Sequence, residues 1–491
     1  MKSSTLQQKA PWEDGPLKVM DNGRYFCCGE KPFFWLGDTA WLLFHQLTLE
    51  ESYIYLRNRK ELGYNVILAD FIHTADQKNL AGDSALTEGD PARPDVEGGF
   101  WKHVDAVVKM AEDLGLFLGL LPVWGSSVVK GGALHMGNVD AYMQFVLNRY
   151  HDYPHIIWIV GGDVRGDVAA PVFRRMGTLM KQDNPKRLVT YHPFGRTSSA
   201  LWFHEEEWLD FNLFQSGHRR YDQVSMQEWD DNTAKEGWFG EDNWRYVERD
   251  RNRTPVKPIL DGEPSYEWIL QGLHDKTQPY WKAADVRRYA YWSVFAGAAG
   301  HVYGHNSIMQ FYRDLSKEGA FGAKYLWTDA IHHPGNSQMI HLKNLCERVG
   351  FEKGRPAREY LLDGKDKDAA GHRGAGAGEP GTNGAGTRNG LKDTAPVPMD
   401  FESVKAGLGE KYDYISVFAG EDFLLAYTVN GRTMGLSLAA YAGKKLASYW
   451  MDPVTGMWTY AGPVAGGGEF TCTPPVREDG EDAVLVLLAE V

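Results

Sequence analysis

The feature that most constrains this chain is a rhythm. Along residues 32–349, short apolar runs alternate with helical patterns, and each run stops at polar or glycine residues. The runs occupy 32–36, 65–69, 116–123, 155–160, 187–191, 211–214, 258–260 and 300–303. Short, largely apolar runs suit strands buried on both faces of a parallel sheet, with helices as the crossovers. Helical patterns lie at 100–114, 139–150, 170–182, 285–296 and 337–349. Thr48 and Glu51 form a capping box for one more, which ends before Gly63. Eight such alternations are the number a (β/α)8 TIM barrel requires. The gap between the sixth and seventh runs is long and predicts an inserted lobe or extended loop. Ahead of the rhythm, 17–20 and 24–28 flank Asp21-Asn22-Gly23, a hairpin signal that places a cap on the bottom of the barrel.

The pattern changes after residue 349. Between 363 and 396 glycine recurs among Ala, Thr, Asp and Lys, too polar a mixture to bury a core, so this stretch is expected to be disordered. A strand is expected just before it, at 359–362, and six more at 414–418, 423–428, 434–438, 445–450, 470–473 and 483–489. Short strands at this spacing predict an antiparallel β-sandwich. The division is therefore a barrel over 1–350 and an all-β sandwich over 351–491, with the loop near 363–396 inside the second.

Charge and cysteine usage remove whole classes. A net charge of −13 repels polyanions, so neither nucleic acid nor an anionic membrane is expected as a partner. No apolar run reaches transmembrane length and residues 1–18 carry no apolar core, so a cytoplasmic location is expected unless a signal was removed. Four cysteines, two of them adjacent as Cys27-Cys28, suggest neither a disulfide framework nor a metal site. No cofactor is expected, for no Gly-rich phosphate loop is found and no lysine stands at a run's end to form a Schiff base. The 17 Trp and 24 Tyr offer flat apolar faces that match pyranose C–H faces, although ordinary packing uses the same residues.

Barrel chemistry sits at the carboxyl ends of the strands. The ends here present Asp38, Trp41, Asp70, His73, Trp124, Asp163, His192, Gln215, His218, Glu263, Tyr303 and His305. Runs four and seven face each other across an eight-stranded ring, and they end in Asp163 and Glu263. Two carboxyl groups flanking one bond are what glycoside hydrolysis needs. One of the two would donate a proton and the other attack or activate water, the rest lining an oligosaccharide site. Many barrel glycosidases carry Asn-Glu where this chain has Gly162-Asp163, and the two glycines before Asp163 would restore the reach of the shorter acid. Asp167 is the rival for the acid role, and Arg165 could bind a sugar carboxylate or a surface acid. His192, His218 and an acid could hold a metal, but local ligand spacing is missing and none is expected. A catalytically silent carbohydrate-binding barrel is the alternative from another class. A metal-dependent amidohydrolase barrel would want His-x-His after the first run, which is absent.

Four motifs resemble one family. Pro-Phe-Phe-Trp-Leu-Gly-Asp-Thr-Ala-Trp (32–41), Trp-Ile-Val-Gly-Gly-Asp (158–163), Asp-Gly-Glu-Pro (261–264) and Gly-His-Val-Tyr-Gly-His-Asn (300–306) are similar to the apiosidase-like glycoside hydrolases. The resemblance spans about 17–349 and implies release of apiose from pectin side chains. It implies Asp163 as acid/base, Glu263 as nucleophile, a retaining mechanism, and Asp38 and Trp41 on the subsite floor. The C-terminal part resembles the small β domain often fused to that barrel, which carries a collagen-binding label that nothing in this sequence requires.

Overall fold

The computed structural model describes residues 9–129, 132–220, 241, 243–362, 409–475 and 482–490. The glycine-rich stretch 363–396 lies outside the described residues.

The chain opens with an antiparallel sheet of β1 (Leu17–Val19), β2 (Phe26–Cys28) and β3 (Lys31–Phe33). At its turn the Asn22 carboxamide accepts the Arg24 N–H at 2.9 Å while Gly23 takes φ 68°, the left-handed value that favours glycine. Phe26 then meets Trp35 and Phe211 at ring distances of 5.6 and 5.2 Å, which seats the sheet under the barrel strands. The third strand of this sheet takes residues 31–33, so the first barrel strand starts at Trp35 rather than Pro32.

All eight apolar runs contain strands, and wherever two of these pair with each other they run parallel. They are β4 (Trp35–Thr39), β5 (Val66–Asp70), β6 (Phe117–Leu121), β7 (Ile156–Val164), β8 (Val189–Pro193), β10 (Asn212–Gln215), β11 (Ile259–Asp261) and β12 (Gly300–Tyr303). A continuous ladder joins six in the order β12-β4-β5-β6-β7-β8, and β10 pairs with β11 separately. The expected ring of eight paired strands is thus a curled parallel sheet, TIM-like but not closed by strand ladders. The reason at one seam is visible. A two-residue strand, β9 (Thr197–Ser198), pairs antiparallel with Phe214 and Gln215 at the upper end of β10. Across to β8 there remain the Asp210 N–H donating to the Val189 carbonyl and the Thr190 hydroxyl donating to the Phe211 carbonyl. At the other seam the Ala299 N–H donates to the Ile259 carbonyl.

The expected helices fall where the periodicity puts them, and one more, Asn243–Arg251, was not expected from it. Thr48 accepts the Glu51 N–H and Glu51 accepts the Thr48 N–H, at 3.2 and 2.9 Å, capping helix Leu49–Glu61. Helices Gly99–Asp113, Val139–Tyr150, Ala170–Asp183, Asn243–Arg251, Ala283–Phe295 and Pro334–Val349 follow. No helix among the described residues is long and apolar enough to cross a membrane.

The C-terminal strands are β13 (Arg355–Pro356), β14 (Ser416–Ala419), β15 (Phe423–Thr428), β16 (Met434–Ser437), β17 (Lys445–Met451), β18 (Trp458–Ala465), β19 (Glu469–Cys472) and β20 (Ala483–Ala489). They build an antiparallel sheet β13-β14-β15-β20-β17-β18 and a separate pair β16-β19, with Leu424, Leu436, Leu446 and Leu485 between them. The strand expected at 359–362 is instead a 3-10 turn, Arg358–Tyr360, followed by a single bridge from Leu361 to Leu436. The other sheet face lies on helix Ala283–Phe295. Tyr291 stacks on Tyr427 at 4.6 Å, and Arg287 holds both oxygens of Asp482 at 2.9 and 3.0 Å. One hydrophobic cluster accordingly runs from Trp35 and Leu68 through Trp292 to Phe418 and Val484.

Candidate active site

The site is made by two strand ends that leave regular geometry. β7 keeps register with β8 as far as Gly161 opposite His192, then bulges before Val164 meets Pro193. Gly161, Gly162 and Asp163 have φ of 90°, 114° and 53°. A Cβ on Gly161 would sit 2.6 Å from the His192 carbonyl oxygen, and one on Gly162 would sit 2.9 Å from the Trp124 ring. Only glycine passes both points. Asp163 tolerates the left-handed region better than most residues, at a cost of about 1–3 kcal/mol. The bulge turns Asp163 outward, so that it is exposed at the mouth of a cavity of about 270 Å³.

β11 ends differently. The Gly262 N–H donates to the Phe214 carbonyl at 2.8 Å, and a Cβ on Gly262 would strike Leu213 at 2.3 Å. Asp261 takes the Ser216 hydroxyl at 2.7 Å and the Asn243 amide at 3.1 Å, while the Gly217 N–H donates to the Glu263 carbonyl at 3.0 Å. Two neighbouring strand ends are thereby tied together beneath Glu263.

Glu263 is 7% exposed and faces two imidazoles. His218 Nε2 lies 3.0 Å from Oε1; His192 Nε2 lies 3.3 Å from Oε2 but off the hydrogen-bonding direction. Burial alone would raise the carboxyl's pKa. The two imidazoles of His192 and His218 facing it outweigh burial and hold Glu263 well below the usual carboxylate range. Behind each ring a backbone N–H points at Nδ1: that of Asp163 at His192 and that of Tyr266 at His218, both at 3.4 Å.

Of the residues named from the sequence, the cavity wall gathers Trp41, His73, Trp124, Asp163, Gln215, His218 and Glu263. Trp41 and Trp124 lie 5.0 Å apart at 60°, an apolar corner, and His192 stands edge-on behind Trp41 at 5.2 Å. His73 is bound through Nδ1 to buried Asp70 at 3.0 Å. Burial works against its protonated form, but Asp70 and then Asp163 outweigh that and raise its pKa. Besides His192, four of the named residues do not reach the wall. Asp38 is buried against helix Leu49–Glu61, taking Tyr55 at 2.6 Å and Arg59 at 3.1 Å. Asp70 sits behind His73, with His45 Nε2 3.7 Å from its other oxygen. Tyr303 donates to Glu267 at 2.6 Å, and His305 is engaged with His333 at 2.9 Å and with the Ser307 N–H. Their strand ends carry structural hydrogen bonds rather than cavity surface. Asp167 is held by Arg165 Nη2 and Nε, at 2.8 and 3.1 Å, and is not on the wall.

Sequence reasoning missed Phe194, Arg196, Arg219, Tyr266, Leu273, Met309 and Phe321, all lining residues. Arg219 and Tyr266 stand beside His218 and the Asp-Gly-Glu-Pro motif and were within reach. Leu273, Met309 and Phe321 come from loops whose apolar residues carry no strand-end signal. Seven non-glycine described residues have positive φ, and four of them, Asp163, Arg196, Leu273 and Phe321, line this cavity. Backbone strain concentrated in one place is a mark of a functional site. Arg196 and Arg219 bring positive charge to the wall; burial, and then its neighbour Arg196, pushes Arg219 down to about 10.

A TIM-like sheet with a deep cavity at its carboxyl end, walled by aromatics and two acids, defines a glycosidase. The chain belongs to the apiosidase-like family, whose catalytic-domain model matches residues 20–353. A second model, "Putative collagen-binding domain of a collagenase", matches residues 397–488. Among solved structures, one described as a glycoside hydrolase is 37% identical with a TM-score of 0.82, the match covering 98% of both chains. A glycoside hydrolase family 5 structure from Bacteroides vulgatus is 36% identical with a TM-score of 0.80, over 98% of this chain and 94% of that one. A third structure, from the same organism, is 12% identical with a TM-score of 0.60 and shares the fold alone. No curated protein matches.

Proposed function

We propose that the chain is a retaining glycosidase acting on pectin-type, apiose-containing oligosaccharides, with Glu263 as nucleophile and Asp163 as acid/base. The observation that carries this reading is that Asp163 and Glu263 are the two carboxylates on the cavity wall, one exposed and one buried between imidazoles. In the first step a Glu263 oxygen bonds to the anomeric carbon as the glycosidic C–O bond breaks, and the leaving oxygen takes the Asp163 proton. In the second, Asp163 removes a proton from water, which attacks the anomeric carbon and frees Glu263. Trp41 and Trp124 would hold the sugar's apolar face, and Arg196 and Arg219 favour a uronate beside it. The curled sheet is read as a (β/α)8 barrel over 1–350, with 351–491 a sandwich that buttresses it and does not bind collagen.

The test is Glu263→Gln assayed on an aryl apioside and on apiose-bearing pectin fragments. Turnover should vanish while circular dichroism and Tm stay near wild type. A folded variant with near-normal turnover would remove Glu263 from the chemistry. An active wild type that ignores apiosides would leave the glycosidase and reject the substrate.

A further inference from the structure

We infer that His192 and His218 are positioning residues that grip Glu263 as neutral Nε2–H donors, each fixed in that tautomer by a backbone N–H aimed at its Nδ1. The inference rests on Glu263 being the nucleophile. A backbone N–H can only donate. The Asp163 N–H directed at His192 Nδ1 and the Tyr266 N–H directed at His218 Nδ1, both at 3.4 Å, therefore require a lone pair on each Nδ1. A neutral ring with a bare Nδ1 carries its proton on Nε2. Those are the nitrogens that face Glu263, at 3.3 Å from Oε2 and 3.0 Å from Oε1. Oε1 thus meets an N–H whose direction the backbone has set, and a second such N–H stands 3.3 Å from Oε2, off the hydrogen-bonding line.

The arrangement links the two ends of the site. The Asp163 N–H reaches His192 only because Gly161 and Gly162 bulge out of β7. The bulge that presents the acid/base carboxyl also fixes the ring beside the nucleophile. His218 is held independently: Trp281 Nε1 and the Gly272 N–H both donate to its carbonyl, at 3.0 and 2.8 Å.

Neutral donors suit a nucleophile that must lose its charge. When Glu263 becomes a glycosyl ester, two imidazolium ions would be left buried without a counter-charge, which is costly. Neutral N–H groups incur no such penalty, and one can stay on the ester carbonyl oxygen. The other groups around this carboxylate are Tyr266, buried and edge-on to His218 at 4.8 Å, Trp41 behind His192, and Asp163, Arg196 and Arg219 on the same cavity wall.

Two measurements on the full chain test the inference. The first is 15N NMR of histidine-labelled protein at neutral pH, the two rings assigned by their loss in His192→Gln and His218→Gln. Both should show a bare Nδ1 and a protonated Nε2; an imidazolium or an Nδ1–H ring at either position overturns the inference. The second is the pH profile of kcat/KM for an aryl glycoside. A glutamine amide reaches the place of Nε2, whereas an asparagine amide reaches only that of Nδ1. His218→Asn should move the acid limb up by about one to two pH units, the worth of one hydrogen bond to a charged group, and His218→Gln should largely return it. If both variants lose kcat and keep the wild-type acid limb, His218 is merely structural and the inference falls. Azide rescue of Glu263→Ala checks the underlying reading separately: without it the nucleophile assignment fails, whatever tautomers the NMR finds.

Discussion

Asp261 and Ser216 are joined across the ends of β11 and β10 by a hydroxyl-to-carboxyl hydrogen bond of 2.7 Å, in a place where neither residue meets solvent. The pair holds the loop that carries His218 against the loop that carries Glu263. Burial, only partly offset by Ser216 and Asn243, pushes the Asp261 carboxyl up to about 7.

The sign of the resulting pH dependence follows. Between the unfolded value near 3.8 and the folded value near 7, the unfolded chain loses this proton and the folded chain keeps it. Asp261 therefore draws stability down as pH rises through that window, by an amount on the order of 4 kcal/mol. Asp261→Asn should gain stability relative to wild type from pH 4 to 7, with a constant difference above. Denaturant unfolding at several pH values measures it. A difference between the two proteins that does not change with pH would show that Asp261 is already ionised.

Gly162 is the narrowest point of the β7 bulge. With φ at 114° and the Trp124 ring 2.9 Å from any added Cβ, Gly162→Ala should destabilise the fold by about 1–3 kcal/mol. It should reduce kcat far more than that loss suggests, because Asp163 and the His192 contact move together. Tm and kcat measured on one preparation separate the two effects. Near-wild-type kcat would mean that the bulge does not position the acid.

Much of this architecture was legible in the sequence because strands buried on both faces leave uninterrupted apolar runs, and helices Gly99–Asp113 and Val139–Tyr150 announce themselves by period. β18 was not legible. It is an edge strand with mostly exposed or half-buried residues, interrupted by Gly462 and Pro463, and it borders the bulge between Ser448 and Tyr449. The site shows the same limit in another form. A polar residue at a strand end says that hydrogen bonds are needed there, not which side receives them. Asp38 and Tyr303 answer to Arg59 and Glu267, Trp41 and His218 to the cavity, and the letters alone do not separate the cases. Asp163 and Glu263 stood out because they end the fourth and seventh of eight apolar runs and each acid follows a glycine; that Trp124 and Leu213 leave room for nothing larger at those glycines only the structure shows.

The C-terminal sheets are fastened to helix Ala283–Phe295 through a buried ion pair. Arg287 also donates to Gln338 at 2.6 Å, and Tyr427 donates to Asp482 at 3.2 Å. Removing one partner strands the other, so Arg287→Met should cost about 3–5 kcal/mol, and Arg287→Met with Asp482→Leu should recover most of it. Chemical unfolding followed by tryptophan fluorescence would show it. If the single and double variants are equally unstable, packing of the arginine stem, not its charge, joins the two regions.

Asp163 carries the most specific prediction. As an acid it must hold a proton before the bond breaks, and exposure leaves it free to exchange that proton with water between steps. Once it has given that proton to the leaving oxygen, Asp163 is left ionised as a base for the second step. Its role thus depends on the leaving group. With Asp163→Ala, a dinitrophenyl glycoside needs no proton and should still glycosylate Glu263, so a burst of dinitrophenol is expected, then a stall. A methyl or sugar leaving group needs the proton and should lose on the order of 10²–10⁴-fold in kcat/KM. Azide, a nucleophile that needs no base, should release the stalled intermediate as a glycosyl azide with the same anomeric configuration as the substrate. Equal slowing of both substrates with no azide product would take the acid/base role from Asp163, and Asp167, four residues past Asp163 and paired with Arg165, would be the next residue to replace.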